Sequence, residues 1–243
     1  MKSALVTGAN KGIGFEITKQ LAQNGFFVYL GSRNLDSGLA AAKKLRAEGI
    51  TNVEVIQLDV TDSNSIISAR KLIGEKTKTL DVLINNAGIL GGWTQSALEA
   101  TTAQFRETYE TNVFGVVSVT QAFIDLLSAS TEPRIVNVSS SMGSLSLTAD
   151  SSFFPVKYAL YQSSKSALNM YTINLAYELL DTSFKVNAVD PGYTATDFNN
   201  DQGTGNVSEA GRRIIKYALL DNNGPTGGFF SEESAPDTGI CPW

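Results

Sequence analysis

Seven short apolar runs constrain this chain more than any other feature. "SALVTG", "FFVYLGS", "NVEVIQLD", "DVLINNAG", "PRIVNVSS", "FKVNAVDPG" and the weaker "GGFFS" are rich in β-branched or aromatic residues. They are continuous rather than alternating, as strands covered on both faces are. Helix-like segments separate them, at residues 12–23, 36–48, 62–76, 102–127, 158–180 and 208–219. Strands that alternate with helices pair in parallel through right-handed crossovers. The expected fold class is therefore α/β, a doubly wound and mostly parallel seven-stranded sheet with helices on both faces. A chain of 243 residues that is 42% hydrophobic can build this as one domain over residues 1–243. Such sheets bind ligands beyond the carboxyl ends of their strands, and here the polar clusters follow directly after the apolar runs.

Composition removes several function classes. The formal net charge is -5 and the basic residues are scattered, which argues against nucleic acid and anionic membrane as partners. The start "MKSALVTGANKG" has too brief an apolar run for a signal peptide, and no stretch reads as the roughly 20 apolar residues of a membrane span. The single cysteine, Cys241, reads as an unpaired tail residue and excludes an internal disulfide framework. These features lead us to expect a cytoplasmic protein. Residues 143–156 and 192–207 are turn-rich and read as loops, and the tail "GPTGGFFSEESAPDTGICPW" is expected to wrap the surface after a last short strand.

Two stretches carry chemistry. "TGANKGIG", Thr7 to Gly14, follows the first strand and opens a helix, the order in which a glycine turn lets backbone approach a pyrophosphate. Lys11 lies inside that turn, and Arg33 follows the second strand, where an adenosine ribose would lie. An unphosphorylated ribose calls for a carboxylate there, but the neighbour is Ser32 and the next acid is Asp36, so the cofactor inferred is NADP(H). The bland alternative makes Lys11 and Arg33 ordinary surface charges.

The second stretch is "YALYQSSK". The chain has no histidine, so proton chemistry near neutral pH needs another group. On a helix, Tyr161 stands one turn from Lys165, whereas Tyr158 stands two turns away. A cation at roughly 4–6 Å favours an ionised phenol and draws its pKa toward working pH, which makes Tyr161 the better candidate acid. A core tyrosine with a snorkelling lysine is the competing account of the spacing.

The chain resembles the short-chain dehydrogenases/reductases. "TGANKGIG", "NNAG" at Asn85 to Gly88, "NVSS" at Asn137 to Ser140, "YQSSK" at Tyr161 to Lys165 and "DPGYTATD" at Asp190 to Asp197 occur in that family's order. "TGANKGIGFEI" and "GPTGGFFSEE" are most similar to its NADPH-dependent carbonyl reductase branch. The resemblance implies a Rossmann fold and a reaction in which hydride reaches a carbonyl carbon while Tyr161 protonates the oxygen, with no metal. It implies that Lys165 lowers the tyrosine pKa and binds the nicotinamide ribose. Ser140 would hydrogen-bond the substrate oxygen, with Ser139 and Ser141 as rivals, and Asn112 in "TNVFG" would hold a water against the lysine. The implied cofactor set is Gly8, Asn10, Lys11, Gly12, Ile13, Gly14, Arg33, Asp59, Val60, Asn86, Ala87, Gly88, Tyr161, Lys165, Pro191, Gly192, Thr194 and Thr196. For Asp59 a strand-end turn or helix cap is a nearly equal reading. Trp93, Met142, Tyr193 and Phe198 would join Ser140 as substrate contacts, suiting aryl ketones, aldehydes or quinones, and each is equally accounted for by loop packing.

Residues 145–156, with Phe153 and Phe154, either obstruct the contact through which many relatives assemble or cover the cleft. The chain is accordingly expected as a monomer or small homo-oligomer. Two other functions remain open: a 3-oxoacyl-thioester reductase, for which Lys157, Lys185, Arg212 and Arg213 would form a basic border, and a non-catalytic NADP(H)-sensing protein.

Overall fold

The computed structural model describes residues 1–93, 95–150 and 158–243. The apolar runs form β1 (Ser3–Val6), β2 (Phe27–Ser32), β3 (Val53–Gln57), β4 (Val82–Asn85), β5 (Arg134–Val138), β6 (Lys185–Val189) and β7 (Phe229–Phe230). They pair in parallel in one sheet of order β3-β2-β1-β4-β5-β6-β7. The chain therefore winds outward in both directions from the β1–β4 pair, and a crevice opens at the carboxyl ends of those two strands.

The helices are α1 (Gly12–Gln23), α2 (Leu35–Ala47), α3 (Ser63–Lys76), α4 (Thr102–Tyr109), α5 (Gly115–Ser128), α6 (Leu145–Ala149), α7 (Ala159–Glu178) and α8 (Val207–Ala218). Alternate residues of one strand face opposite layers, and β1 shows why its run has no polar member. Ala4 and Val6 pack with Ile17 and Leu21 of α1, Leu45 of α2 and Ile214 of α8. Leu5, between them, packs with Ile73 of α3, Phe123 of α5 and Ala176 of α7.

The structure departs from the sequence expectations in four places. The helix expected over 102–127 is broken by a π-helical turn, Glu110–Phe114, into α4 and α5. The run Thr102–Ser128 is also apolar and long enough to cross a membrane by length and composition, against the expectation that no such stretch exists. Half of its window is buried inside the fold, since Val119, Phe123 and Leu127 face the sheet. Part of the expected loop 143–156 is helical, because the Ser144 hydroxyl accepts the Leu147 amide at 3.1 Å and starts α6. Phe153, Phe154 and Lys157 lie outside the described residues. The tail does more than wrap the surface: Ile240 makes an antiparallel bridge to Phe230, and the Cys241 amide donates to Phe229 O at 2.8 Å. The tail thus covers the edge of the last strand, and burial pushes the free Cys241 thiol up to about 12.

Candidate active site

The glycine turn closes on the end of β4. Asn86 Nδ2 donates to Thr7 O at 2.9 Å and to Gly8 O at 3.1 Å, and Thr7 Oγ1 accepts the amides of Asn86 and Ala87, each at 3.0 Å. A Cβ on Gly14 would stand 2.5 Å from Asn86 Nδ2, so only glycine lets α1 start this close to the strand. The first residue of α1 follows Lys11, whose side chain makes no capping bond, and no acid lies in the first turn. The first amides of α1, those of Ile13 and its neighbours, are therefore left available to an anionic ligand, with Asn10 and Gly12 half-buried on the same turn. Arg33 is exposed just past β2, while Ser32 is buried and donates to Asn34 O. This donor set of amides and two cations fits a dinucleotide carrying an extra phosphate.

Asp59 Oδ1 accepts from the Thr61 amide at 3.0 Å and the Thr61 hydroxyl at 2.8 Å. These bonds form a strand-end turn. Val60 belongs to the buried layer beneath, where it meets Gly115 at the start of α5.

Tyr161 and Lys165 lie on the first two turns of α7, and Lys165 Nζ stands 5.6 Å from the Tyr161 ring centre. Of the three serines, Ser140 is the one whose hydroxyl acts on the phenol, favouring its ionised form. Ser139 Oγ turns away to Asn169 Oδ1 at 2.6 Å, and the Ser141 hydroxyl acts on the Asp190 carboxylate instead. Tyr158 stands at the N-cap of α7, where its amide donates to Gln162 Oε1. Burial, and after it the charge of Asp190, pushes the Tyr161 phenol above its ordinary value, and the bond with Ser140 works the other way. The sequence reading expected the phenol to be drawn down, whereas in the structure burial is the largest influence and raises it. Lys165 is itself lowered to about 8 by burial, with Asp190 opposing, and it donates to Val138 O at 2.8 Å.

Asn112 sits in the π-turn, fully buried, with its side chain committed. Its Oδ1 accepts the Ile89 amide at 2.8 Å, and its Nδ2 donates to Ile89 O at 2.9 Å and Ser164 Oγ at 3.0 Å. Ser164 Oγ in turn donates to Tyr161 O at 2.8 Å. The asparagine is thus a post between the segment after β4 and α7, beside Gly88. Gln95 does similar work and gave no signal in the sequence. Buried, it donates to Leu90 O and Gly92 O, and it accepts the Leu160 amide at 3.1 Å at the start of α7.

The segment after β6 crosses the crevice. Phe198 meets Tyr161 edge-on with ring centres 5.6 Å apart, and Asp197 pairs with Lys11 of the glycine turn at 2.9 Å. Thr196 lies against Gly12, and Thr194 is buried with its hydroxyl on Gly192 O. Pro191 and Gly192 form the turn that leads into it. Of the expected substrate contacts, Phe198 is brought to the acid and Met142 is half-buried in the short 3-10 turn after Ser140. The side chains of Trp93 and Tyr193 are exposed.

Comparison with known proteins agrees with this geometry. The family model described as short chain dehydrogenase matches residues 2–206. The chain belongs to the short-chain dehydrogenase/reductase family. This short-chain dehydrogenase is 36% identical to (-)-isopiperitenone reductase of Mentha piperita, with 96% of each chain covered. It superposes on salutaridine reductase from Papaver somniferum with a TM-score of 0.85, at 32% identity over 95% of this chain and 100% of that one. A TM-score of 0.85 also relates it to NADPH-bound carbonyl reductase from chicken fatty liver, at 27% identity over 100% and 99% of the two chains. The short-chain dehydrogenase is therefore an oxidoreductase of a nicotinamide-binding family, in a carbonyl reductase-like branch.

Proposed function

We propose that the protein reduces ketones or aldehydes to alcohols with NADP(H), and that Tyr161 is the proton donor. The observation that carries this reading is the buried Tyr161 phenol, with Lys165 Nζ 5.6 Å from its ring and the Ser140 hydroxyl acting on it, in a fold whose first strand ends in a dinucleotide-type glycine turn. When bound, the nicotinamide supplies the hydride. The chain's own groups handle charge and protons. As negative charge grows on the carbonyl oxygen, the hydroxyls of Tyr161 and Ser140 bond it more strongly than in the ground state, which lowers the barrier. Burial keeps the phenol protonated through neutral pH, the form that reduction consumes. Lys11 and Arg33 supply the cations for a ribose phosphate, and the NADPH bound by the chicken carbonyl reductase supports that choice. The reductase names of the relatives support a carbonyl substrate.

The thioester alternative draws less support, because Arg212 and Arg213 are ion-paired to Glu209, Glu232 and Glu233 and form no open basic border.

The test is loss of NADPH absorbance with aryl ketones, aldehydes, diketones and acetoacetyl-thioesters. Wild type and Tyr158→Phe should turn over, with NADPH preferred over NADH. Tyr161→Phe should lose about 10²-fold or more, as removal of a general acid does. Full activity in Tyr161→Phe would overturn the mechanism, and tight NADPH binding without any turnover would favour the sensor.

A further inference from the structure

We propose that Glu233, in the C-terminal segment, is a positioning residue for the turn 190–193 and so for the segment that lays Phe198 over Tyr161. The inference rests on the reductase reading of that site. The turn leaves β6 at the crevice, and contacts from outside hold it residue by residue. The Asp190 amide donates to Phe230 O at 2.8 Å, and its carboxylate accepts the Ser231 hydroxyl at 2.7 Å and the Gly192 amide at 3.1 Å. Pro191 O accepts Arg213 Nη1 of α8 at 2.9 Å. Glu233 Oε2 accepts the Tyr193 amide at 2.8 Å and pairs with the same Arg213 Nη1 at 3.5 Å. The fit is tight: Gly192 has φ +85°, and any Cβ there would overlap both Arg213 and Glu233.

The anchor is itself fixed away from the crevice. The Ser231 amide donates to Gly239 O at 3.0 Å, and Trp243 stacks on Phe229 with ring centres 5.3 Å apart. Beyond Tyr193 the crossing segment meets the opposite wall through the Phe198 ring and the exposed Lys11–Asp197 pair. An exposed ion pair contributes little, whereas a carboxylate on a backbone amide is directional and charge-assisted. Glu233 therefore sets where the segment leaves the sheet, on the side where the nicotinamide half of the cofactor would lie.

The experiment uses the full chain with Glu233→Ala and Glu233→Gln. It reads hydrogen exchange at the Tyr193 amide, binding of NADPH and of 2',5'-ADP (the adenosine half alone), and the melting midpoint. Glu233→Ala should speed exchange at Tyr193 and weaken NADPH about three- to tenfold, the range expected for one charge-assisted bond at a partly exposed site. Affinity for 2',5'-ADP should not change, and the melting midpoint should fall by no more than about 2–4 °C, the cost of the lost bond itself. Glu233→Gln keeps an oxygen acceptor and should restore most of both losses. Unchanged exchange at Tyr193, or equal losses for NADPH and 2',5'-ADP, overturns the proposal. If wild type binds neither ligand, the reductase reading fails, while faster Tyr193 exchange in Glu233→Ala still supports the positioning role and unchanged exchange still overturns it.

Discussion

Lys165 is a cation that the fold holds at a cost. Burial takes its pKa from 10.5 down to about 8. Below about 8 the folded and unfolded chains both carry the proton, and the native state bears the full penalty of the buried charge. Between about 8 and 10.5 the unfolded chain binds more protons, so stability rises with pH, and above 10.5 the penalty is gone. Lys165→Met keeps the stem and removes the charge. At pH 7 it should stabilise the protein by about 0.5–2.5 kcal/mol, the pKa difference less the cost of leaving Val138 O unpaired. Denaturant titrations at pH 7 and pH 10.5 check this: the gain should shrink at the higher pH, and a gain independent of pH would refute it. The Tyr161–Lys165 pair was legible in the sequence because helical spacing alone places them together. The direction of the tyrosine shift was not, because it depends on how deeply the ring is enclosed and on Asp190, which arrives from β6.

At the scale of the element, the π-turn decides what Asn112 does. A continuous α-helix over 102–127 accounts for the apolar periodicity, but the one-residue widening at Glu110–Phe114 leaves no periodic mark. It is held by contacts with Ile89 and Ser164, 23 and 52 residues away. Asn112→Ala would leave the Ile89 amide and carbonyl without their side-chain partner and free the Ser164 hydroxyl. We expect a loss of about 2–3 kcal/mol in stability, measured by urea denaturation, because buried groups are stranded. If Asn112→Ala instead lowered kcat with stability intact, its chief role would be chemical. The crossing segment after β6 shows the same division. "DPGYTATD" marks it in the sequence, but the approach of Phe198 to Tyr161 and of Asp197 to Lys11 brings together residues 37 and 186 positions apart.

Across the whole molecule the two ends of the sheet have different work. The carboxyl ends carry Ser140, the glycine turn and the crossing segment. The amino ends are tied together by Arg134, a fully buried guanidinium at the start of β5. It donates to Leu220 O at 2.9 Å, Pro133 O at 2.9 Å, Ser183 O at 3.0 Å and Asn222 Oδ1 at 3.0 Å. Arg134→Ala should cost about 3–5 kcal/mol, since it strands these acceptors inside the fold. The site lies at the other end of the strands, so kcat/KM of the folded fraction should stay within about twofold of wild type. A large fall in kcat/KM at unchanged stability would show that the two ends are coupled. Continuous apolar runs, alternation with helices and ordered motifs determined the sheet, its parallel pairing and the residues gathered at its carboxyl edge. Each of those rests on local periodicity or on backbone sterics within a few residues. Only the tertiary structure decided that Ser140 and not its neighbours meets the phenol, that Asn112 is a post, and that the tail grips the turn 190–193. Those outcomes depend on burial and on partners far apart in the chain, which a linear pattern does not record.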